Sequence, residues 1–156
     1  LYNDNIIYQI MNNYIKDIFK NNNINRIKKL EKKKIIIIDR KDKRKWDNNK
    51  LNNIVDKIKK LNVEYNGIYV LDNMLLKEQI KLFSSNNIFI FRHGSCLTNL
   101  LWIPKNSLIF DIDINMDRHL ITQRVCDCNN SKVIRLNYNN INYDTIVNEI
   151  TNLNNN

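Results

Sequence analysis

The sequence predicts an α/β domain built on a doubly wound, five-stranded parallel sheet, and three observations predict it. Ile35-Ile36-Ile37-Ile38 is a continuous β-branched run, the pattern of a strand covered on both faces. From that run onward, strand-like and helix-like segments alternate to the end of the chain. The apolar strand Ile88-Phe89-Ile90-Phe91 then runs through Arg92 and His93 into Gly94, which opens a short helical segment. The whole chain has two glycines and one proline, yet Gly94 and Pro104 both fall in this one window. Right-handed crossovers place ligands at the carboxyl ends of such strands, and the expected strand order is 3-2-1-4-5.

Each element follows from its own pattern. Tyr2 to Phe19 carries Ile6, Ile7, Ile10, Met11, Tyr14, Ile15, Ile18 and Phe19 at spacings of three and four, which predicts an amphipathic helix. After an Asn-rich break, Ile24 to Leu30 has room for one or two further helical turns before the Ile35–Ile38 strand. Leu51, Ile54, Val55, Ile58 and Leu61 predict a helix over Asn49 to Leu61, and Gly67 introduces a strand over Ile68 to Leu71. Leu75 to Ser84 reads as a helix, Asn87 to Arg92 as the central strand and Ser95 to Trp102 as a short helix. Pro104 to Ser107 turns the chain into a strand over Leu108 to Ile112. A weaker helix over Asp117 to Cys126, a strand over Ser131 to Leu136 and a closing helix over Tyr143 to Leu153 complete the alternation. No internal repeat and no dividing linker interrupt it.

A chain of 156 residues has room for one such domain, burying roughly 70% of its unfolded surface, and not for two. Heavy use of Asn, Ile and Lys with little Gly, Pro or Ala reads as the codon bias of an AT-rich protist or a large DNA virus. The formal charge of +9 favours phosphorylated or polyanionic partners, although Lys-rich codon bias produces the same excess. Cys96, Cys126 and Cys128 are odd in number and a C-x-C pair rarely closes a disulfide, which favours free thiols in a reducing compartment. His119 with Cys126 and Cys128 matches no common zinc spacing and lacks a fourth ligand, so no metal is expected. No run approaches the ~20 apolar residues of a membrane span and no signal-peptide core is present. The expectation is a soluble, cytoplasmic protein, or one of the ER or Golgi lumen if a longer parent carries a signal. The start at Leu1 reads as a segment of such a parent.

At the carboxyl edge of the sheet the candidate chemistry collects. Gly94 lets the backbone approach an anion, while the N–H groups of Ser95, Cys96, Leu97 and Thr98 and the positive helix end point at it. The first strand ends in a basic loop, Asp39 to Asn48, in which Arg40 and Arg44 at i, i+4 can clamp a pyrophosphate or remain solvated. Asp111 and Asp113 end the fourth strand, placed either for ribose hydroxyls or to cap the next helix. His93 is the titrating group of the region, as a proton carrier or as a structural hydrogen-bonder.

As a set, these residues resemble glycosyltransferase family 61, which includes extracellular O-linked N-acetylglucosamine transferases and plant xylan xylosyl- and arabinosyltransferases. The resemblance spans about Lys34 to Asp113 and weakens beyond it. It rests on the Ile36 to Asn48 strand and Arg-containing loop, on Leu76-Lys77-Glu78-Gln79-Ile80, which is similar to the family's f-x-E-Q segment, and on His93-Gly94-Ser95-Cys96-Leu97-Thr98-Asn99-Leu100, which is similar to H-G-A-x-L-T-N-L. Trp102-Ile103-Pro104 and Leu108-Ile109-Phe110-Asp111 follow in order; Ser95 replaces the usual Ala, and Asp111 the common Glu.

The resemblance implies an inverting transferase of the two-domain B-type fold. Residues 1–31 form an amino-terminal helical segment and 32–156 a Rossmann-like nucleotide-sugar-binding domain, the carboxyl-terminal half of a longer protein. Arg40 and Arg44 then bind diphosphate, the backbone of Gly94 to Thr98 cradles it, and Gln79, His93 and Asn99 shape the site, with His93 as the catalytic candidate. It implies a UDP-sugar donor, a glycan or protein acceptor and no metal or other cofactor. It further implies that a preceding amino-terminal domain holds the acceptor, and the expectation is that this segment without that domain exposes an apolar surface and self-associates. Two rivals stand beside this reading. Arg92-His93-Gly94 with Asn99 matches the R-H-G-x-x-x-x-N of histidine phosphatases, but on the wrong strand and with only His119 as a second histidine. A basic nucleic-acid-binding module is favoured by the charge and by Trp46 beside the basic loop, against the apolar patterns that absorb most aromatics.

Overall fold

Side chains alternate between the two faces of a strand, so the apolar run inside Lys34–Asp39 (β1) needs cover on both sides. It has that cover in the computed structural model, which describes residues 32–115, 120–127 and 129–154, together with Asn13, Tyr14, Asp17 and Lys20. After β1 come Asn48–Ile58 (α1), Glu64–Val70 (β2), Leu76–Ser84 (α2), Ile88–Arg92 (β3) and a 3₁₀ helix, Ser95–Trp102. Leu108–Asp113 (β4), Leu120–Asp127 (α3), Lys132–Asn137 (β5) and Tyr143–Asn154 (α4) follow. The expected helix over Tyr2 to Phe19 falls outside the described residues except at Asn13, Tyr14 and Asp17, which are helical, and the turns over Ile24 to Leu30 lie wholly outside.

The strands form a five-stranded, all-parallel sheet whose alternation sorts the core into two layers. Ile35, Ile37, Ile88, Ile90, Leu108 and Phe110 face α1 and α4, meeting Leu51, Ile54, Ile58, Ile146 and Ile150. On the other face Ile36, Ile38, Phe89, Phe91 and Ile109 meet Ile80 and Phe83 of α2, Leu100 and Trp102 of the 3₁₀ helix and Cys126 of α3. The α/β, doubly wound architecture is therefore as expected from the alternation of patterns.

The strand order is not the expected one. It is β2-β1-β3-β4-β5, and the expected 3-2-1-4-5 would have left β3 on an edge. All five residues of β3 are buried, whereas β2 buries none of its residues fully and starts with an exposed Glu64, so β3 takes the centre and β2 the edge. In β2 the pairing with β1 slips between Ile35 and Ile37, where Gly67 adopts a φ of 111° that a bulge tolerates only with glycine. The order has a consequence for ligands. The β1-to-β2 crossover runs one way across the sheet and the β2-to-β3 crossover returns past β1, so the winding reverses between β1 and β3 and opens a crevice at their carboxyl ends.

Among the described residues no helix is long and apolar enough to cross a membrane. The central strands set stability. Ile90, fully buried in β3, should lose about 2–5 kcal/mol of unfolding free energy on substitution to Ala. Urea unfolding followed by circular dichroism checks this, with a lower midpoint and an unchanged slope expected.

Candidate functional site

The loop after β1 is organised by two aspartates. Asp39 accepts at Oδ1 from the N–H of Arg40 (2.7 Å) and of Trp46 (2.9 Å), pinching the two ends of the loop together. Asp42, at the tip, accepts from Nε (3.1 Å) and Nη2 (2.8 Å) of Arg40 in a bidentate pair. It also accepts from the N–H of Arg44 (2.9 Å), whose Nε lies 3.5 Å from Oδ2. The hydrogen bonds from Arg40 and from the Arg44 backbone hold the Asp42 carboxyl well below the usual carboxylate range, so it stays ionised and keeps both arginines gathered. Trp46 closes the loop. Its ring is buried and its Nε1–H donates to the Ile38 carbonyl (3.1 Å). The aromatic residue on which a nucleic-acid reading leans therefore belongs to the core.

The turn after β3 lies against this loop. A Cβ built on Gly94 would collide with the guanidinium of Arg40, so glycine is what allows the arginine to lie on the backbone. Arg44 reaches the same turn, its Nη1 donating to the His93 carbonyl (3.4 Å). The Leu97 N–H donates back to the Gly94 carbonyl (3.0 Å), starting the 3₁₀ ladder. That bond takes the Leu97 amide out of the expected row.

A pocket of about 320 Å³ opens between the ends of β1, β2 and β3. Asp39, Arg40, Asp72, Gln79, Ser95, Thr98 and Asn99 supply its polar lining, and Cys96 its floor beside Ile38 and Leu71. Gln79 spends its amide on structure: Nε2 donates to the carbonyls of Met74 (3.0 Å) and Leu71 (3.4 Å), and Oε1 accepts from Nδ2 of the buried Asn99 (3.0 Å). This chain ties the 3₁₀ helix to the β2–α2 turn and sets the width of the pocket. The Cys96 thiol donates to the Arg92 carbonyl (3.6 Å), and burial pushes its pKa up to about 12.

His93 and Asp111 form a separate pair. Nδ1 of His93 sits 3.0 Å from both carboxylate oxygens of Asp111, which is buried at 3% exposure and also accepts from Thr122 Oγ1 (3.4 Å). Burial raises the Asp111 pKa, and the hydrogen bond from His93 pulls it partly back. A carboxylate on Nδ1 fixes the ring orientation and leaves Nε2 for exchange.

Of the residues singled out in the sequence, Arg40, Gln79, Ser95, Cys96, Thr98 and Asn99 line this pocket, with Gly94 and Arg44 at the turn beside it. His93 and Asp111 are paired outside the lining, and the Leu97 side chain packs into the core. Asp113 is bonded to the Ile114 N–H (2.8 Å), so neither carboxylate of the β4 end reaches the pocket. The sequence reading left Asp42, Asp39 and Asp72 without roles. Asp42 had a signal, an acid set between two arginines in a short loop. Asp72 follows β2, beside β1 as expected, but the expected strand order did not set β3 on the other side of β1, so Asp72 and the Gly94 turn were not expected to meet across the end of β1. His119 and Cys128 lie outside the described residues, and no group of metal-binding side chains occurs among the described ones.

The fold is a Rossmann-like parallel sheet, a class that places its ligands in the crevice at the switch point, here between a basic loop and a glycine turn. The family model of glycosyltransferase 61 matches residues 2–110, a span that includes both the loop and the turn. The chain belongs to glycosyltransferase family 61, and its activity class is that of a glycosyltransferase, with a sugar donor and an acceptor as substrates. No curated protein matches the chain. The family decides between the transferase and the phosphatase and nucleic-acid rivals.

The burial of Cys96 generates a direct test. With a thiol pKa near 12, native protein at about pH 8 should leave Cys96 unlabelled by iodoacetamide, while unfolded protein labels it readily. Peptide mass spectrometry after timed alkylation checks this; rapid native labelling would mean that the pocket floor opens.

Proposed function

We propose that this chain binds the nucleoside diphosphate of a sugar donor, with UDP as the first candidate, at the carboxyl ends of β1, β2 and β3. The observation that carries the reading is the contact between the Arg40 guanidinium and Gly94, which brings a bidentate donor and a bare backbone turn to one point at the mouth of the pocket. Arg40 and Arg44 supply the positive charge, the amides of Ser95 and Cys96 supply directed donors, and the pocket receives the rest of the donor.

In an inverting transfer the acceptor hydroxyl oxygen bonds to the anomeric carbon as the bond from that carbon to the diphosphate oxygen breaks. The bonding electrons leave with the diphosphate, and the hydroxyl proton goes to a base. Charge develops on the leaving diphosphate, and fixed guanidiniums and amides stabilise it without reorganising. This assignment gives the task to the chain's own side chains and calls for no divalent metal. His93, oriented by Asp111, is the candidate for moving a proton in this region, at Nε2. The acceptor, a glycan or a protein, is assigned to a further amino-terminal domain of a B-type transferase, because in-line attack needs it held on the opposite side of the anomeric carbon.

Asp42 distinguishes a preorganised site from a merely basic one. Asp42→Ala removes a negative charge next to the proposed diphosphate, so simple charge counting predicts tighter binding. Loss of the anchor shared by Arg40 and Arg44 should instead weaken UDP binding about tenfold, the scale of one charge-assisted hydrogen bond. Titration calorimetry reads the sign, and tighter binding by the variant would contradict the account.

A further inference from the structure

Arg92 ends β3 and takes no part in the site proposed above, yet its surroundings are unusual for an arginine. The residue is 3% exposed, and its Nε has no hydrogen-bond partner. The guanidinium carbon lies 3.3 Å from the centroid of the Tyr138 ring, and Nη1 donates to the Lys45 carbonyl (3.5 Å). Among the described residues no carboxylate makes a salt bridge to this guanidinium, Asp113 acting on it only at longer range and Arg44 opposing it, so its burial is costly. The face of the Tyr138 ring and the Lys45 carbonyl suit a planar cation.

Tyr138 follows β5 and is itself held from several sides. Its hydroxyl accepts from the Asp47 N–H (2.8 Å), and Lys50 Nζ donates to its carbonyl (2.7 Å) while lying 4.1 Å from the ring centroid. The Trp46 ring packs against it at 5.7 Å between centroids. Asp47 in turn caps α1, accepting from the N–H groups of Asn49 (3.0 Å) and Lys50 (3.1 Å). Arg92 and Tyr138 thus grip Lys45, Trp46 and Asp47, the downstream end of the basic loop, while Asp39 grips its upstream end. Between the two grips lie Arg40, Asp42 and Arg44.

We propose that Arg92, stacked on Tyr138, is a positioning residue that fixes the basic loop so that Arg40 and Arg44 face the diphosphate. The inference rests on the diphosphate site proposed above. Arg92 touches no ligand; it acts through Lys45 and Tyr138 on the loop, and its planar guanidinium is the part that matters. A lysine keeps the charge but can neither stack on Tyr138 as a plane nor hold the Lys45 carbonyl at the same time.

The test compares UDP with uridine as probes of wild-type protein, Arg92→Met and Arg92→Lys, with affinities read by ligand-observed NMR and folding checked by thermal melting. Both variants should bind UDP about tenfold more weakly, as for one lost charge-assisted contact, with uridine affinity unchanged. Equal loss of UDP and uridine would mean a general structural role and would overturn the inference. So would full recovery in Arg92→Lys, which would make Arg92 a source of charge only, or unchanged UDP binding in both. Should a variant lose its cooperative melt, Tyr138→Leu removes the stacking partner and is judged by the same UDP-to-uridine ratio. Wild-type protein that binds uridine and UDP equally refutes the diphosphate site itself, and the role of Arg92 with it.

Discussion

The burial of β1 and β3 on both faces is the constraint on which the rest of the structure depends. Two strands without a polar face have to sit inside the sheet, and their adjacency places the return crossover between them. That reversal brings the loop after β1 and the turn after β3 together although more than fifty residues separate them in sequence. The contact between Arg40 and Gly94 is therefore a product of core packing, and no local signal in the basic loop calls for it.

A cluster of like charges in such a crevice would spread without restraint. Asp42 supplies that restraint at the tip of the loop, and Asp39 and Trp46 close its base. The guanidiniums are consequently set before any ligand arrives, which is how fixed charge lowers a barrier more than mobile charge does. Membership of glycosyltransferase family 61 gives this arrangement its context: under the function proposed above, the crevice serves the departure of the donor's diphosphate.

Much of this was legible in the sequence because it rests on local pattern. Ile35 to Ile38 and Ile88 to Phe91 mark buried strands, Gly94 marks the turn, and the helices over Asn48–Ile58 and Leu76–Ser84 follow from their spacing. Strand order was less accessible, since it depends on which strand is most completely buried; the polar start of β2, Glu64-Tyr65-Asn66, was the available clue. Partner choice was the least accessible. Nothing adjacent in sequence pairs His93 with Asp111, or sets Arg92 on Tyr138. Those contacts arise only once β3, β4 and β5 lie side by side. At position 111 the neighbouring histidine and Thr122 enclose the carboxylate, and neither partnership is announced by a local pattern.

The most direct test of the central claim is a backbone-amide NMR titration of the chain with UDP. The account predicts the largest shifts at Gly94, Ser95 and Cys96, with accompanying shifts of the Arg40 and Arg44 Nε–H signals. Shifts concentrated at the opposite, amino-terminal edge of the sheet, around Lys34 and Leu108, would contradict it.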